Sequence, residues 1–293
     1  MDTYSIPAPK RGSTVFTKKV WKKHGSPPIL ILEEGWTEID QNTFSGATTL
    51  LMIRIPASLV EISENAFMGA TKLHQVAFVE NSQLRTISEN AFSDATSLER
   101  IDIPASVTAI GHSVFNKASS LKEVTFEEGS RLTYIGDAAF AFTPSLKKIS
   151  IPEGVANIRD FAFFGATSLT TIHIPIGLAA IGNGAFNNTP MLTEIAFGPG
   201  SQISRINNNA FEGSGLTHVV MGAPVLASLN TARASYMPQL IFGENKFYGK
   251  DNVSISSKVE RSAHSKGGAR SQRKRKLTRR IRAKKSSRKL RRR

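Results

Sequence analysis

The chain has 293 residues, 40% hydrophobic and 8% aromatic, with no cysteine and a formal net charge of +15 at pH 7. This supports a sizeable core, and the missing cysteine excludes a disulfide-stapled fold, a thiolate zinc site and a thiol nucleophile. No apolar run reaches the ~18 residues of a membrane span, and Met1-Asp2-Thr3-Tyr4-Ser5-Ile6-Pro7 is no secretory signal, which predicts an intracellular protein.

Taken in chain order, residues 1–28 hold six Lys and Arg against Asp2, a net +5, and read as a basic N-terminal arm. Residues 29–257 sum to −7, and residues 258–293, with 18 bases against Glu260, to +17. The basic character therefore lies in the two ends, around a mildly acidic body.

The body is repetitive. Phenylalanines preceded by small residues recur at Phe44, Phe67, Phe92, Phe115, Phe140, Phe163, Phe186 and Phe211, at gaps of 23, 25, 23, 25, 23, 23 and 25 residues. Leu50, Leu73, Leu98, Leu121, Leu146, Leu169 and Leu192 each lie six residues further on, and Leu216 follows Phe211 one residue early. Each leucine opens a pattern such as Leu98-x-x-Ile101-x-Ile103, whose alternation of β-branched residues predicts a short strand with one buried face. Pro56, Pro104, Pro152 and Pro175 end such strands, because proline has no amide donor. A second apolar pair, such as Val107-x-x-Ile110 or Leu178-x-x-Ile181, predicts a shorter strand before the next phenylalanine. In the 25-residue units the extra residues follow Phe78, Phe126 and Phe197, in the loop between the strands.

A single unit cannot bury its apolar face, whereas stacked units bury continuous columns. The predicted fold is a β-rich leucine-rich-repeat solenoid over residues 29–221, a rod or arc of about eight units. At about 4.8 Å between strands, its length is on the order of 40 Å. Residues 29–39, with Leu30, Leu32, Trp36 and Ile39, read as an opening half-unit, and residues 222–257 as a degenerate cap and linker.

The string Ile-x-x-x-Ala-Phe, then Leu-x-x-Ile-x-Ile-Pro, then Val-x-x-Ile-Gly resembles the BspA-type, or Treponema pallidum-type, leucine-rich repeat family. The resemblance implies protein binding or adhesion, often at a microbial surface. It also implies a cysteine three residues after each phenylalanine, where this chain has Ala47, Ala70, Ala95, Ala118, Thr143, Ala166, Thr189 and Ser214.

No catalytic, cofactor or metal constellation emerges. His24, His74, His112, His173, His218 and His264 are scattered over different units without metal-ligand spacing, and Gly182-Asn183-Gly184 lacks the Lys-Ser/Thr of a phosphate loop. The sequence predicts a non-enzymatic protein with no cofactor and no small-molecule substrate.

What a solenoid offers is a surface. The residue between the two strand isoleucines points outward, and this column reads Arg54, Ala77, Asp102, Thr125, Ser150, His173, Ala196 and Val220. Its variety suits either a recognition face for another protein, carried by Arg54, Asp102, Thr125, Ser150 and His173, or a merely soluble one. Phe142, Phe161 and Phe164 replace small or polar residues of other units, and suit either an exposed partner site or local packing between turns.

Beyond Gly267-Gly268 the sequence is almost free of apolar residues, which predicts a disordered tail over 258–293. Arg273-Lys274-Arg275-Lys276 has the form of a nuclear import signal. With Arg279, Arg280, Arg282, Lys284 and Lys285 it offers charges to import machinery or, without reading sequence, to nucleic acid. Anionic membrane ranks lower as a partner, since no lipidation motif or anchor accompanies the charge. Two functions stand open: an intracellular interaction scaffold whose tail is a nuclear address or nonspecific nucleic-acid binder, and a surface or virion adhesin whose tail contacts an anionic surface.

Overall fold

Because each unit repeats the same apolar spacing, equivalent residues of successive units align and their backbones pair in register. The computed structural model describes residues 3–198, 200–207, 209–220, 246–247, 250–251 and 254–256. Eight longer strands, from Thr3–Ile6 to Thr171–His173, form one parallel sheet. Nine two-residue strands, from Val15–Phe16 to Arg205–Ile206, form a second. Glu194–Ala196, His218–Val220 and Ser254–Ser256 make a third parallel set. The result is a β-solenoid of about nine coils, with one short helix among the described residues, α1 (Lys18–Lys23).

Register is set by the apolar columns. Val124 lies between Ile101 and Ile149 in the long-strand sheet, and Ile135 between Ile110 and Ile158 in the short-strand sheet, all buried. The longer units keep this register: Ile87 pairs with Ile62 and Ile110, so the two extra residues stay in the loop.

The repeating phenylalanines form a ladder. From Phe44 to Phe211, adjacent rings stack with centroids 4.8–5.5 Å apart and interplanar angles of 2–13°. The spacing follows from the distance between hydrogen-bonded strands, so one ring per coil fills the column. Each turn adds backbone bonds along the stack: the Phe67 N–H donates to the Ala91 carbonyl, the Phe140 N–H to Ala162 and the Phe186 N–H to Ala210, all at 2.7 Å. The small residues three places on are buried, and the hydroxyls of Thr143 and Thr189 donate to the carbonyls of Phe140 and Phe186 at 2.8 and 2.7 Å.

The beginning differs from the sequence expectation. Residues 1–28 were expected as an arm outside the repeat, but from Thr3 onward they build the first coil. Thr3–Ile6 pairs with Ile29–Leu32, and Val15–Phe16 with Glu38–Ile39. The physical reason is apolar: Phe16 stacks on Phe44 at 5.8 Å and meets Trp36 edge-on at 5.1 Å, while Trp21 of α1 covers Phe44 at 5.1 Å. Residues 29–39 are accordingly part of a full second coil. Thr17 caps α1 by accepting from the Val20 N–H at 3.3 Å.

At the other end, Lys246–Phe247 pairs antiparallel with Lys250–Asp251. Apart from these residues and Ser254–Ser256, the expected cap and linker, 222–257, and the whole tail, 258–293, lie outside the described residues.

Candidate functional site

With the apolar residues committed to the columns, chemistry is left to outward positions. On the long-strand sheet, Asp102 pairs with Thr125 and Ser150 with His173. Thr125, Ser150 and His173 line one groove of about 670 Å³ with Glu123, Glu127, Lys148 and Glu153. Asp102 lies in an adjoining groove of about 590 Å³ with His74, Gln75 and Arg100. Four of the five polar candidates thus follow one another across four coils. Arg54 stands apart, separated from Asp102 by the coil of Ala77. Val220 occupies the same column but is buried, contrary to the expectation that the column faces outward.

These groups are held by contacts between coils. Arg100 bridges Asp102 at 2.9 Å and Glu123 at 3.1 Å, and Lys122 reaches Glu99 at 2.8 Å. Burial works against ionisation of Asp102, but hydrogen bonds from Arg100 and the Thr125 hydroxyl outweigh it and hold its carboxyl below the usual range. His173 Nε2 lies 3.1 Å from Glu153, whose other oxygen accepts the Ile176 N–H at 3.1 Å. The hydrogen bond to His173, then that from Ile176, keeps the Glu153 carboxyl low.

Two glutamates of the turns act similarly. Glu34 accepts the Ala57 and Ser58 N–H groups at 2.8 and 3.0 Å, and Glu127 accepts the Ala105 N–H at 3.0 Å, clamping one coil to its neighbour. Among the described residues, no three His, Asp or Glu side chains gather as metal ligands. Nor is any helix there long and apolar enough to cross a membrane.

The aromatic candidates do come together. Phe142 meets Phe164 edge-on at 5.1 Å, and Phe161 meets Phe164 at 6.0 Å. Phe142 and Phe161 remain 47% and 42% exposed, so the cluster is an apolar patch on the turn edge rather than core. The three rings pack against one another and leave the outer faces of Phe142 and Phe161 to solvent.

Their backbone is unusual. Each ladder phenylalanine from Phe44 to Phe211 is flanked by two left-handed residues, at φ 52–58° two places before and 54–69° two places after. Most coils put residues tolerant of this region there, such as Asn42, Asn65 and Asn90 before, or Gly46, Gly69 and Gly165 after. Phe161 has φ 58° and Phe142 φ 54°, where a bulky side chain is strained by roughly 1–2 kcal/mol. The sequence signal was available: once Asn-x-Phe and Phe-x-Gly are recognised as left-handed columns, the two phenylalanines are the odd members.

The import-signal and nucleic-acid candidates, Arg273 to Lys276, Arg279, Arg280, Arg282, Lys284 and Lys285, lie outside the described residues.

The comparisons with known proteins agree with this architecture. A profile for the "BspA type Leucine rich repeat region" matches in six copies, over residues 37–160 and 120–231. No curated protein matches the sequence. Among solved structures, the chain is similar to a leucine-rich repeat protein of T. pallidum, at 29% identity and a TM-score of 0.52, covering 57% of this chain and 79% of that one. It is also similar to the pneumococcal vaccine antigen PcpA, at 23% identity and a TM-score of 0.42 over 67% and 62% of the two chains. A leucine-rich repeat protein of Bacteroides ovatus is similar at 22% identity and a TM-score of 0.43, over 64% and 53%. With its profile matched across more than half its length and its phenylalanine and isoleucine columns stacked coil upon coil, the chain belongs to the BspA-type leucine-rich repeat family.

Proposed function

We propose that this protein is a non-enzymatic interaction scaffold, whose solenoid holds a partner protein while its basic tail serves as a nuclear address or a nonspecific nucleic-acid binder. The observation that carries the protein-binding half is the pair Phe142 and Phe161: strained in backbone and half exposed in side chain, they cost stability without filling core. Strain retained at an exposed apolar patch supports a docking role. The groove lined by Thr125, Ser150 and His173 adds directional polar contacts on the sheet of the same coils. Apolar anchors in the centre of an interface with polar groups around them are the usual distribution of binding energy.

The test uses the full chain as bait, with Phe142→Gly/Phe161→Asn as the control. A partner recovered by the parent at physiological salt and lost by the double variant supports the reading. The same set recovered by both removes the patch from the interface. For the tail, a reporter fused to residues 258–293 should enter the nucleus and lose that preference when Arg273, Lys274, Arg275 and Lys276 are replaced by alanine. An evenly cytosolic reporter with no salt-sensitive nucleic-acid binding rejects the address, and leaves adhesion at an anionic surface as the reading to pursue.

A further inference from the structure

The first coil concentrates one sign of charge. Between Thr3 and Pro28 there are six Lys and Arg and no Asp or Glu. Lys10 and Arg11 lie in the link between the strands Thr3–Ile6 and Val15–Phe16, and Lys18, Lys19, Lys22 and Lys23 supply four of the six residues of α1. All except Lys18 are exposed. None of the six makes an ion pair within 4.0 Å among the described residues.

The neighbouring carboxylates are engaged elsewhere. Glu33 of the second coil accepts from the Ser5 hydroxyl at 2.6 Å, Glu34 from the Ala57 and Ser58 amides, Glu38 from Ser63 at 2.7 Å and Asp40 from the Gln41 N–H at 2.9 Å. The cations are also held on a built frame. Two parallel strand pairings, the Phe16 stack and buried Trp21 fix the coil, and Lys18 donates to the Ser45 carbonyl at 3.1 Å. Lys22 and Lys23 sit in the last turn of α1, where positive charge complements the free carbonyls. With Lys18 that accounts for three of the six, and leaves Lys10, Arg11 and Lys19 with no side-chain hydrogen bond or ion pair among the described residues.

We propose that the first coil is a docking face for the phosphate backbone of nucleic acid. It is a preformed set of cations that binds by displacing counterions and does not read bases. Five of the six cations are lysines, which contact phosphate as point charges, and a duplex with one negative charge per about 1.7 Å of its axis offers an unbroken line of anions to such a set. A lipid surface is disfavoured because the coil has little to insert: Ile6, Phe16 and Trp21 are buried, and exposed Tyr4 is bonded to His24 at 3.1 Å. The first coil and the tail are different segments of the chain, and the proposal for the coil does not rest on the tail reading.

The full chain should be titrated with a mixed-sequence 30-base-pair duplex at several NaCl concentrations, beside Lys19→Ala/Lys22→Ala/Lys23→Ala, Lys10→Ala/Arg11→Ala and, in the tail, Lys284→Ala/Lys285→Ala. If the first coil contacts phosphate, the triple variant makes the slope of log Kobs against log [NaCl] shallower by about 2.7, and the double variant by about 1.8, at roughly 0.9 per lost contact. Should only the tail variant alter the slope, the coil is not in contact; the proposal then falls while the tail reading stands. Weaker binding of the coil variants to phosphatidylserine vesicles, with duplex binding unchanged, would overturn it in favour of lipid. The Lys10/Arg11 variant lies outside the helix and keeps the test valid if the triple variant unfolds α1.

Discussion

The ring of Phe161 lies across Gly184 of the following coil, so that a Cβ on that glycine would stand 2.7 Å from the ring. Both residues are left-handed, at φ 58°. The bulky residue of one coil therefore constrains its successor in the same column to glycine. Gly184→Ala is expected to destabilise the solenoid by about 2 kcal/mol, from the left-handed alanine and the clash together. In the Phe161→Asn background only the conformational cost remains, so a double-mutant cycle by urea unfolding should return a coupling of about 0.5 kcal/mol or more. Additive losses would show that the ring does not constrain the glycine.

Phe142→Gly and Phe161→Asn restore the residues that other coils use at these positions. Relief of roughly 1–2 kcal/mol of strain opposes the loss of one ring contact, about 0.5–1.5 kcal/mol. Each variant should therefore melt within a few degrees of the parent or above it, because 1 kcal/mol moves Tm by about 2–4 °C in a domain of this size. A fall of 8 °C or more in differential scanning calorimetry would identify the rings as structural, and would withdraw the argument that they are kept for a partner.

Phe115 tests the ladder. It is fully buried and stacked on Phe92 at 5.5 Å and on Phe140 at 5.3 Å, in the middle of the array. Phe115→Ala is expected to cost about 3–5 kcal/mol by urea titration, and Phe115→Leu appreciably less. Since each coil contacts chiefly its neighbours, a gap at this coil weakens both adjoining interfaces. Hydrogen exchange should then show the earlier and later coils losing protection separately.

The columns were legible in the sequence because every unit repeats the same apolar spacing, and a buried column admits few residue types. Phe44 to Phe211, the leucines and the isoleucine pairs are all where their periodicity predicts. The first coil was not legible. Phe16 precedes Phe44 by 28 residues, a helix replaces the usual turn, and the six cations read as an arm. Tertiary packing of Phe16 and Trp21 overrides that local signal. Of the candidate surface, the run from Asp102 to His173 could be read from strand alternation. The interlocking of Glu34 and Glu153 with backbone of the next coil could not, since it depends on side-chain reach across the stack. The strain at Phe142 and Phe161 becomes visible only when turn columns are aligned, because phenylalanine itself gives no left-handed signal.

Glu34 gives the pH dependence a sign. Burial raises its pKa, but hydrogen bonds from the Ala57 and Ser58 amides lower it by more, so the folded carboxyl titrates below its ordinary range. Glu153 is lowered in the same direction by His173 and the Ile176 amide. A depressed carboxylate stabilises the fold above its unfolded pKa, and that contribution disappears as pH falls through the folded value. The urea midpoint should therefore hold between pH 7 and about 5, and decline below about 4.5 as the ordinary carboxylate range is crossed. Glu34 receives the two amides on separate oxygens, so Glu34→Gln keeps only one of these acceptors and carries no titrating charge; it should be less stable than the parent near neutrality and lose less on acidification. Parallel declines in parent and variant would show that the clamp contributes nothing through its ionisation.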